Sequence, residues 1–168
     1  KHNLCDLIYQ GKNIREIITW GPMDVGFISG GSGIAGMSNL SREYLVYIIK
    51  NLAELDAIAD VIIVDTGAGI SEAVLEFLVA SEEILVVTTP EPTSITDAYS
   101  LLKAVNRKKE FERNNKAIKV ITNRVEGPED GKEIYDKISI VVSKFLNIQL
   151  DYLGYIPYDK RLGNAVLE

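Results

Sequence analysis

The chain is poor in the side chains that most often carry metal and nucleophilic chemistry. Among its 168 residues there is one cysteine, Cys5, and one histidine, His2. A lone cysteine excludes an internal disulfide and a cysteine-based zinc site. A lone histidine beside the terminus argues against a Ser-His-Asp triad and against a histidine-ligated metal. Long apolar runs are missing as well. None reaches the ~18 residues of a membrane span, and no secretory signal pattern opens the sequence. A cytoplasmic protein is the default expectation. Blocks of like charge are also lacking, apart from Arg107-Lys108-Lys109, which reads as a solvated helix end. With a net charge of −6, nucleic acid is not an expected partner.

What is present suits a globular domain. Hydrophobic content of 46% and charged content of 25% are ordinary values, and the length is about that of one domain with a sizeable core. The chain opens on Lys1-His2-Asn3, with Leu4, Leu7 and Ile8 already at helical spacing. It closes on Glu168 within another helical pattern. The expectation is a single α/β domain over 1–168 that is a piece of a longer protein.

Residues 3–10 predict a helix stopped by Gly11. Asn13 caps a short second helix with Ile14, Ile17 and Ile18, ended by Gly21-Pro22. A strand is expected at about 24–29, followed by a glycine-rich loop over 30–36. Ser41 caps a long helix with Tyr44, Leu45, Ile48, Ile49, Leu52 and Leu55 on one face. A strand at 61–65 leads to a helix at 71–81. The strand 84–89 closes at Pro90-Glu91-Pro92, and Ser94 and Asp97 have capping-box spacing before the next helix. A strand at 118–122 ends in Thr122-Asn123-Arg124. A helix over about 129–146 and a last strand over 153–156 follow. Strands and helices alternate throughout, which predicts a mainly parallel sheet with flanking helices.

The segment richest in chemistry is Val61-Ile62-Ile63-Val64-Asp65-Thr66-Gly67-Ala68-Gly69-Ile70-Ser71. Four apolar β-branched residues run into an acid, a glycine-rich turn and a helix start. Such a run suits a strand buried on both faces, with Asp65 at its carboxyl end, where open α/β sheets bind ligands. The glycines permit close backbone approach, and Ser71 caps a helix whose free N–H groups favour anions. Together these suit a phosphate and its Mg²⁺. Asp-Thr-Gly is also the aspartic-protease signature, but that chemistry needs two carboxylates in an almost all-β fold. A simple helix-cap acid closing a buried strand is the remaining structural reading.

The loop Gly31-Ser32-Gly33-Ile34-Ala35-Gly36 matches G-x-G-x-x-G, a dinucleotide fingerprint. The best N-cap, Ser41, comes five residues too late, and Asp65 stands 29 residues past Gly36. The same loop spells a P-loop with Met37 in the lysine's place, and a methionine cannot neutralise phosphate charge. A surface loop is the favoured reading.

Four segments in order carry a resemblance. Asp60 to Ser71 resembles the Walker B and switch II region of MinD/ParA-type ATPases. Thr88-Thr89-Pro90-Glu91-Pro92-Thr93-Ser94-Ile95-Thr96-Asp97-Ala98 is similar to the segment after that family's next strand. Asn123-Arg124-Val125 resembles its base-binding strand end, and Leu153-Gly154-Tyr155-Ile156-Pro157-Tyr158-Asp159 its last strand and loop. The wording of the first two segments is closest to the flagellar-number branch, the FlhG, FleN and YlxH proteins. The family's deviant P-loop, K-G-G-x-G-K-[ST], and its Asp-rich switch I are not in these 168 residues, nor is the C-terminal membrane-binding helix of MinD-like members.

The resemblance implies a P-loop NTPase fold missing its first strand, and a switch ATPase that positions a cellular structure, the flagellum in this branch. ATP or ADP with Mg²⁺ would be the cofactors of the full-length protein. Asp65 would support Mg²⁺ through water, with Thr66 and Gly67 beside the γ-phosphate. Asn123 would contact the adenine, and Arg124, Pro157, Tyr158 and Asp159 would line the base pocket. Glu91 would lie on the nucleotide and dimer face. No catalytic residue is assigned within the chain, which alone is expected to be inactive. Implied partners are a second copy in an ATP-dependent dimer and a polar GTPase. Membrane contact at the inner face would come only through a segment outside this sequence. A non-catalytic pseudo-ATPase interaction module is the alternative, and a Rossmann oxidoreductase a distant third.

Two structural expectations follow. Asp65, Pro90, Asn123 and Pro157 should share the carboxyl edge of the sheet. In the family the P-loop strand lies between the Asp65 strand and the 84–89 strand. Without it those two strands should pair directly, or a partner chain should fill the slot, because unpaired buried backbone is costly.

Overall fold

The computed structural model describes residues 2–30, 40–112 and 116–165. The chain divides into two compact units, Lys1–Ala80 and Ser81–Glu168.

The first unit begins with helix α1 (Leu4–Gln10). Asn3 and Asp6 form a capping box, Cys5 N–H donating to Asn3 Oδ1 and Asn3 N–H to Asp6 Oδ2, both at 2.8 Å. Gly11 ends the helix at φ 64°, a conformation that favours glycine. Asn13 caps a 3-10 helix over Ile14–Ile17 in the same way, with Glu16 closing the box. Leu7, Ile14, Ile17 and Leu55 make the core here, with Leu4, Ile18, Ile28 and Leu52 packed on it. Helices α2 (Arg42–Ala53) and α3 (Glu72–Ala80) pack together, burying Leu45, Ile48, Val74 and Leu75.

Two expectations fail in this unit. The strand predicted at 24–29 is a two-residue piece, β2 (Gly26–Phe27), antiparallel to β1 (Thr19–Trp20). Met23 and Asp24 turn the chain at φ 57° and 56°, which neither glycine nor asparagine announces. Residues 61–65 form no strand and join no ladder among the described residues. Val61 and Ile63 are 75% and 80% exposed. An apolar run becomes a strand only where neighbours take up its N–H and C=O groups, and none of the described strands does so.

The second unit is the parallel sheet. Strands β3 (Glu83–Thr88), β4 (Ala117–Val125) and β5 (Asp151–Pro157) stand in that order, each parallel to the next. Helices α4 (Pro92–Asn106) and α6 (Pro128–Leu146) cover one face. Short helices α5 (Lys109–Glu112) and α7 (Lys160–Ala165) complete the unit. Ile84, Val86 and Thr88 of β3 and Ile118, Val120, Thr122 and Val125 of β4 are buried, with Leu102, Val105, Ile134, Ile138 and Val142 from the helices. The strict alternation along β3 and most of β4 follows the two-residue period of a strand. Val141 and Phe145, at helical spacing with the core residues of α6, are instead exposed.

Candidate functional site

Three strand ends meet at the carboxyl edge of the parallel sheet. Register sets Thr88 beside Thr122 and Thr122 beside Tyr155. The chain leaves these strands through Thr89-Pro90-Glu91, Asn123-Arg124-Val125 and Pro157-Tyr158-Asp159. Pro90, Asn123 and Pro157 therefore share one edge, where open α/β sheets bind ligands.

Ser94 pins the exit of β3. Its Oγ accepts from Thr89 N–H at 3.0 Å and lies 3.1 Å from Thr88 Oγ1. Thr88 is buried, so its hydroxyl needs such a partner. Ser94 is thus not the N-cap that its spacing suggested. Helix α4 starts three residues earlier, with Glu91 as an extended cap residue and Pro92 in the first turn. Proline there gives up no useful donor, and that is the signal that marks the true start. The Thr89 hydroxyl and backbone bonding at Glu91 itself hold the exposed Glu91 carboxyl below the usual glutamate range, and the Arg124 charge acts in the same direction.

The exit of β4 is a bulge. Asn123 pairs with Ile156 and Val125 with Pro157, which leaves Arg124 out of the ladder. Arg124 has φ 60°, a left-handed backbone that is uncommon outside glycine. Bulges re-aim side chains and gather beside binding sites. Here the guanidinium carbon lies 5.7 Å from the Tyr158 ring centroid. Tyr158 N–H donates to Val125 O at 2.9 Å, tying the exit of β5 to that of β4. Asp159 then accepts from Arg161 Nη2 at 2.7 Å and from Arg161 N–H at 2.9 Å. Those bonds hold its carboxyl below the usual aspartate range.

Beside Arg124 runs an open groove of about 530 Å³, lined by Pro90, Arg124, Glu126, Glu129, Asp130 and Glu133. Four carboxylates around one guanidinium repel phosphate. They suit an uncharged planar group that donates hydrogen bonds.

Asp65, Thr66 and Gly67 belong to the first unit, in irregular backbone. Asp65 and Gly67 are exposed and Thr66 is half-buried. Of the two turn glycines, Gly69 takes a positive φ, 107°. Ser71 does cap α3, its Oγ accepting from Val74 N–H at 3.4 Å. Among the described residues no group of three or more His, Cys, Asp or Glu could hold a metal ion. A lone carboxylate fits the water-mediated role expected of Asp65, since Mg²⁺ keeps several of its waters. The glycine loop at 31–36 lies outside the described residues. No described helix is long and apolar enough to cross a membrane.

Sequence reasoning missed the Arg124 bulge, the Ser94 bridge and the Asp159–Arg161 pair. No residue preference marks a bulge at an arginine, whereas the two-residue spacing of Asp159 and Arg161 is legible as a local turn.

No protein-family model matches the chain. It is 36% identical over 166 residues to the antiactivator FleN of Pseudomonas aeruginosa, covering 99% of this chain and 58% of FleN. It is 37% identical over 168 residues to the flagellum site-determining protein YlxH of Helicobacter pylori, covering 99% of this chain and 55% of YlxH. The chain therefore spans just over half the length of these relatives. Among solved structures, a ParA family ATPase from Chlorobium tepidum superimposes with a TM-score of 0.70 at 21% identity, covering 98% of this chain and 64% of that one. The cell division ATPase MinD of Pyrococcus furiosus gives 0.66 at 19% identity, covering 99% and 65%. The two sequence relatives, matched from end to end of this chain, and the two structural ones agree: the chain belongs with FleN and YlxH, on the MinD/ParA ATPase fold.

Proposed function

We propose that this chain is part of a MinD/ParA-type nucleotide-switch ATPase that sets flagellar number or placement, within one ATPase domain longer than these 168 residues. Similarity to the antiactivator FleN and to the flagellum site-determining protein YlxH supports the flagellar role. The observation that carries the nucleotide reading is the convergence of Glu91, Asn123, Arg124, Tyr158 and Asp159 at the ends of three adjacent strands. Asn123 contacts the adenine, which lies against Arg124, and Pro157, Tyr158 and Asp159 build the wall of the base pocket behind Arg124. Glu91 faces the nucleotide and a second copy of the protein. Asp65, Thr66 and Gly67 serve the Mg²⁺ and the γ-phosphate. Bound Mg²⁺ supplies neutralisation of phosphate charge. The acidic groove fits the base and excludes the phosphates from that side. In this reading the protein works in the cytoplasm, with peripheral contact at the inner membrane face and a polar GTPase as a second partner.

The test is an ATP titration of the full-length protein with Mg²⁺, beside flagellar counts in a deletion strain complemented with wild type or Asn123→Ala. Micromolar binding by the wild type is expected, weakened about tenfold by Asn123→Ala, together with abnormal flagellar number. A wild type that binds no ATP but still corrects the count would establish the pseudo-ATPase alternative. Normal counts in the deletion strain would reject the flagellar role.

A further inference from the structure

Arg124 is an unusual residue to place on a bulge. Its side chain is long and flexible, and its backbone sits in a region that only glycine enters freely. An arginine left to itself there would sample many rotamers, and ordering it would weaken binding of any ligand. Two observations bear on what orders it. The Arg124 guanidinium carbon lies over the Tyr158 ring, 5.7 Å from its centroid, and the tyrosine's own backbone is bonded to Val125 next to the bulge at 2.9 Å. The groove of Pro90, Glu126, Glu129, Asp130 and Glu133 opens beside Arg124, and Tyr158 does not line it.

We infer that Tyr158 is a positioning residue for base recognition: its ring braces one face of the Arg124 guanidinium and leaves the other to stack on an amino-bearing purine in the groove. This rests on the nucleotide reading above. A guanidinium is planar and stacks on flat rings, so fixing its plane fixes the slot for a base. The surrounding carboxylates accept hydrogen bonds and donate none when ionised. They favour a ring with an exocyclic amine, such as adenine, over uracil, which offers carbonyl oxygens in that place. The ring face of Tyr158 does this work, and its hydroxyl takes no part.

The experiment compares ATP with UTP, which carry the same triphosphate, by titration of the full-length wild type, Tyr158→Phe, Tyr158→Ala, Arg124→Ala and the double alanine variant. Tyr158 is 54% exposed, so these variants are expected to fold, and melting temperatures check it. Tyr158→Ala should weaken ATP about three- to tenfold and leave UTP unchanged, so that discrimination between the two shrinks. Tyr158→Phe should behave as wild type. The double variant should lose no more than Arg124→Ala alone, since the tyrosine acts through the arginine. Unchanged ATP affinity in Tyr158→Ala, equal loss of ATP and UTP, or a Phe variant as poor as the Ala variant would each overturn the positioning role alone. A wild type that binds neither nucleotide would overturn the nucleotide reading and this role with it.

Discussion

Thr122 Oγ1 lies 3.3 Å from the Tyr152 hydroxyl, a bond between adjacent strands made under helix α6. Gly131 of that helix sits directly above the pair. A Cβ built on it would stand 2.7 Å from each of the two oxygens and 2.9 Å from Tyr155 Cβ. The glycine is therefore required by contact, since its backbone is ordinary helix. Gly131→Ala gains about 1 kcal/mol of helix propensity, but overpacking costs typically about 1–3 kcal/mol. Neither Thr122, fully buried in β4, nor a Cβ in β5 can step aside. The expected outcome is net destabilisation, read as a lower urea midpoint with an unchanged slope.

Ser94→Ala should act through a different loss. It deprives the Thr89 N–H and the buried Thr88 hydroxyl of a partner at once. An unsatisfied buried group costs about 1–3 kcal/mol. Thermal unfolding should show that cost, and faster hydrogen exchange at Thr89 should show that the strand exit has loosened. Equal exchange rates in variant and wild type would sink the idea.

Glu91 should titrate below an ordinary glutamate, because the Thr89 hydroxyl and backbone bonding at Glu91 favour its charged form, with Arg124 acting the same way. The sign follows from linkage. A carboxyl whose folded pKa is lowered adds stability that is present above the unfolded pKa and is lost as pH falls through the folded one. Carbon-detected NMR titration of the side chain reads this directly. Thr89→Val should move the midpoint upward, toward the ordinary value.

The 168-residue chain by itself should bind ATP poorly. It holds residues proposed for the base but no K-G-G-x-G-K-[ST] loop. In phosphoryl-transfer proteins the amides and lysines of that loop supply most of the positioning and charge stabilisation. Calorimetry with a non-hydrolysable ATP analogue and Mg²⁺ checks it, and a micromolar dissociation constant would refute it.

The apolar run Val61–Val64 should make the isolated chain self-associate. It is exposed and joins no ladder among the described residues, the combination that invites edge-to-edge pairing. Light scattering should show mass rising with concentration, and Ile63→Lys should suppress the rise.

The residues that were legible are those whose surroundings are local. Caps at Asn13 and Ser71 read correctly because capping involves only a few neighbouring residues. Strands β3, β4 and β5 read correctly because each finds a partner within the same unit. Residues 61–65 carry an equally strong strand signal, yet they are not a strand here, since strand formation depends on ladder partners that propensity cannot supply. The hairpin at 19–27 escaped because its strands are two residues long and its turn uses Met23 and Asp24. Of the residues expected at one sheet edge, Pro90, Asn123 and Pro157 lie together at the ends of β3, β4 and β5, whereas Asp65 follows no strand. The Arg124 bulge did not show, because register is a property of two strands and one sequence segment does not contain it.

The bulge also resets which residues of β4 the core can feel. Ile118, Val120 and Thr122 are buried in alternation, so an unbroken pleat would make position 124 the next inward residue. Instead Val125 is fully buried and Arg124 is exposed. The extra residue thus frees position 124 from any duty to the interior. Its side chain can serve the strand end while the packing beneath stays as it was.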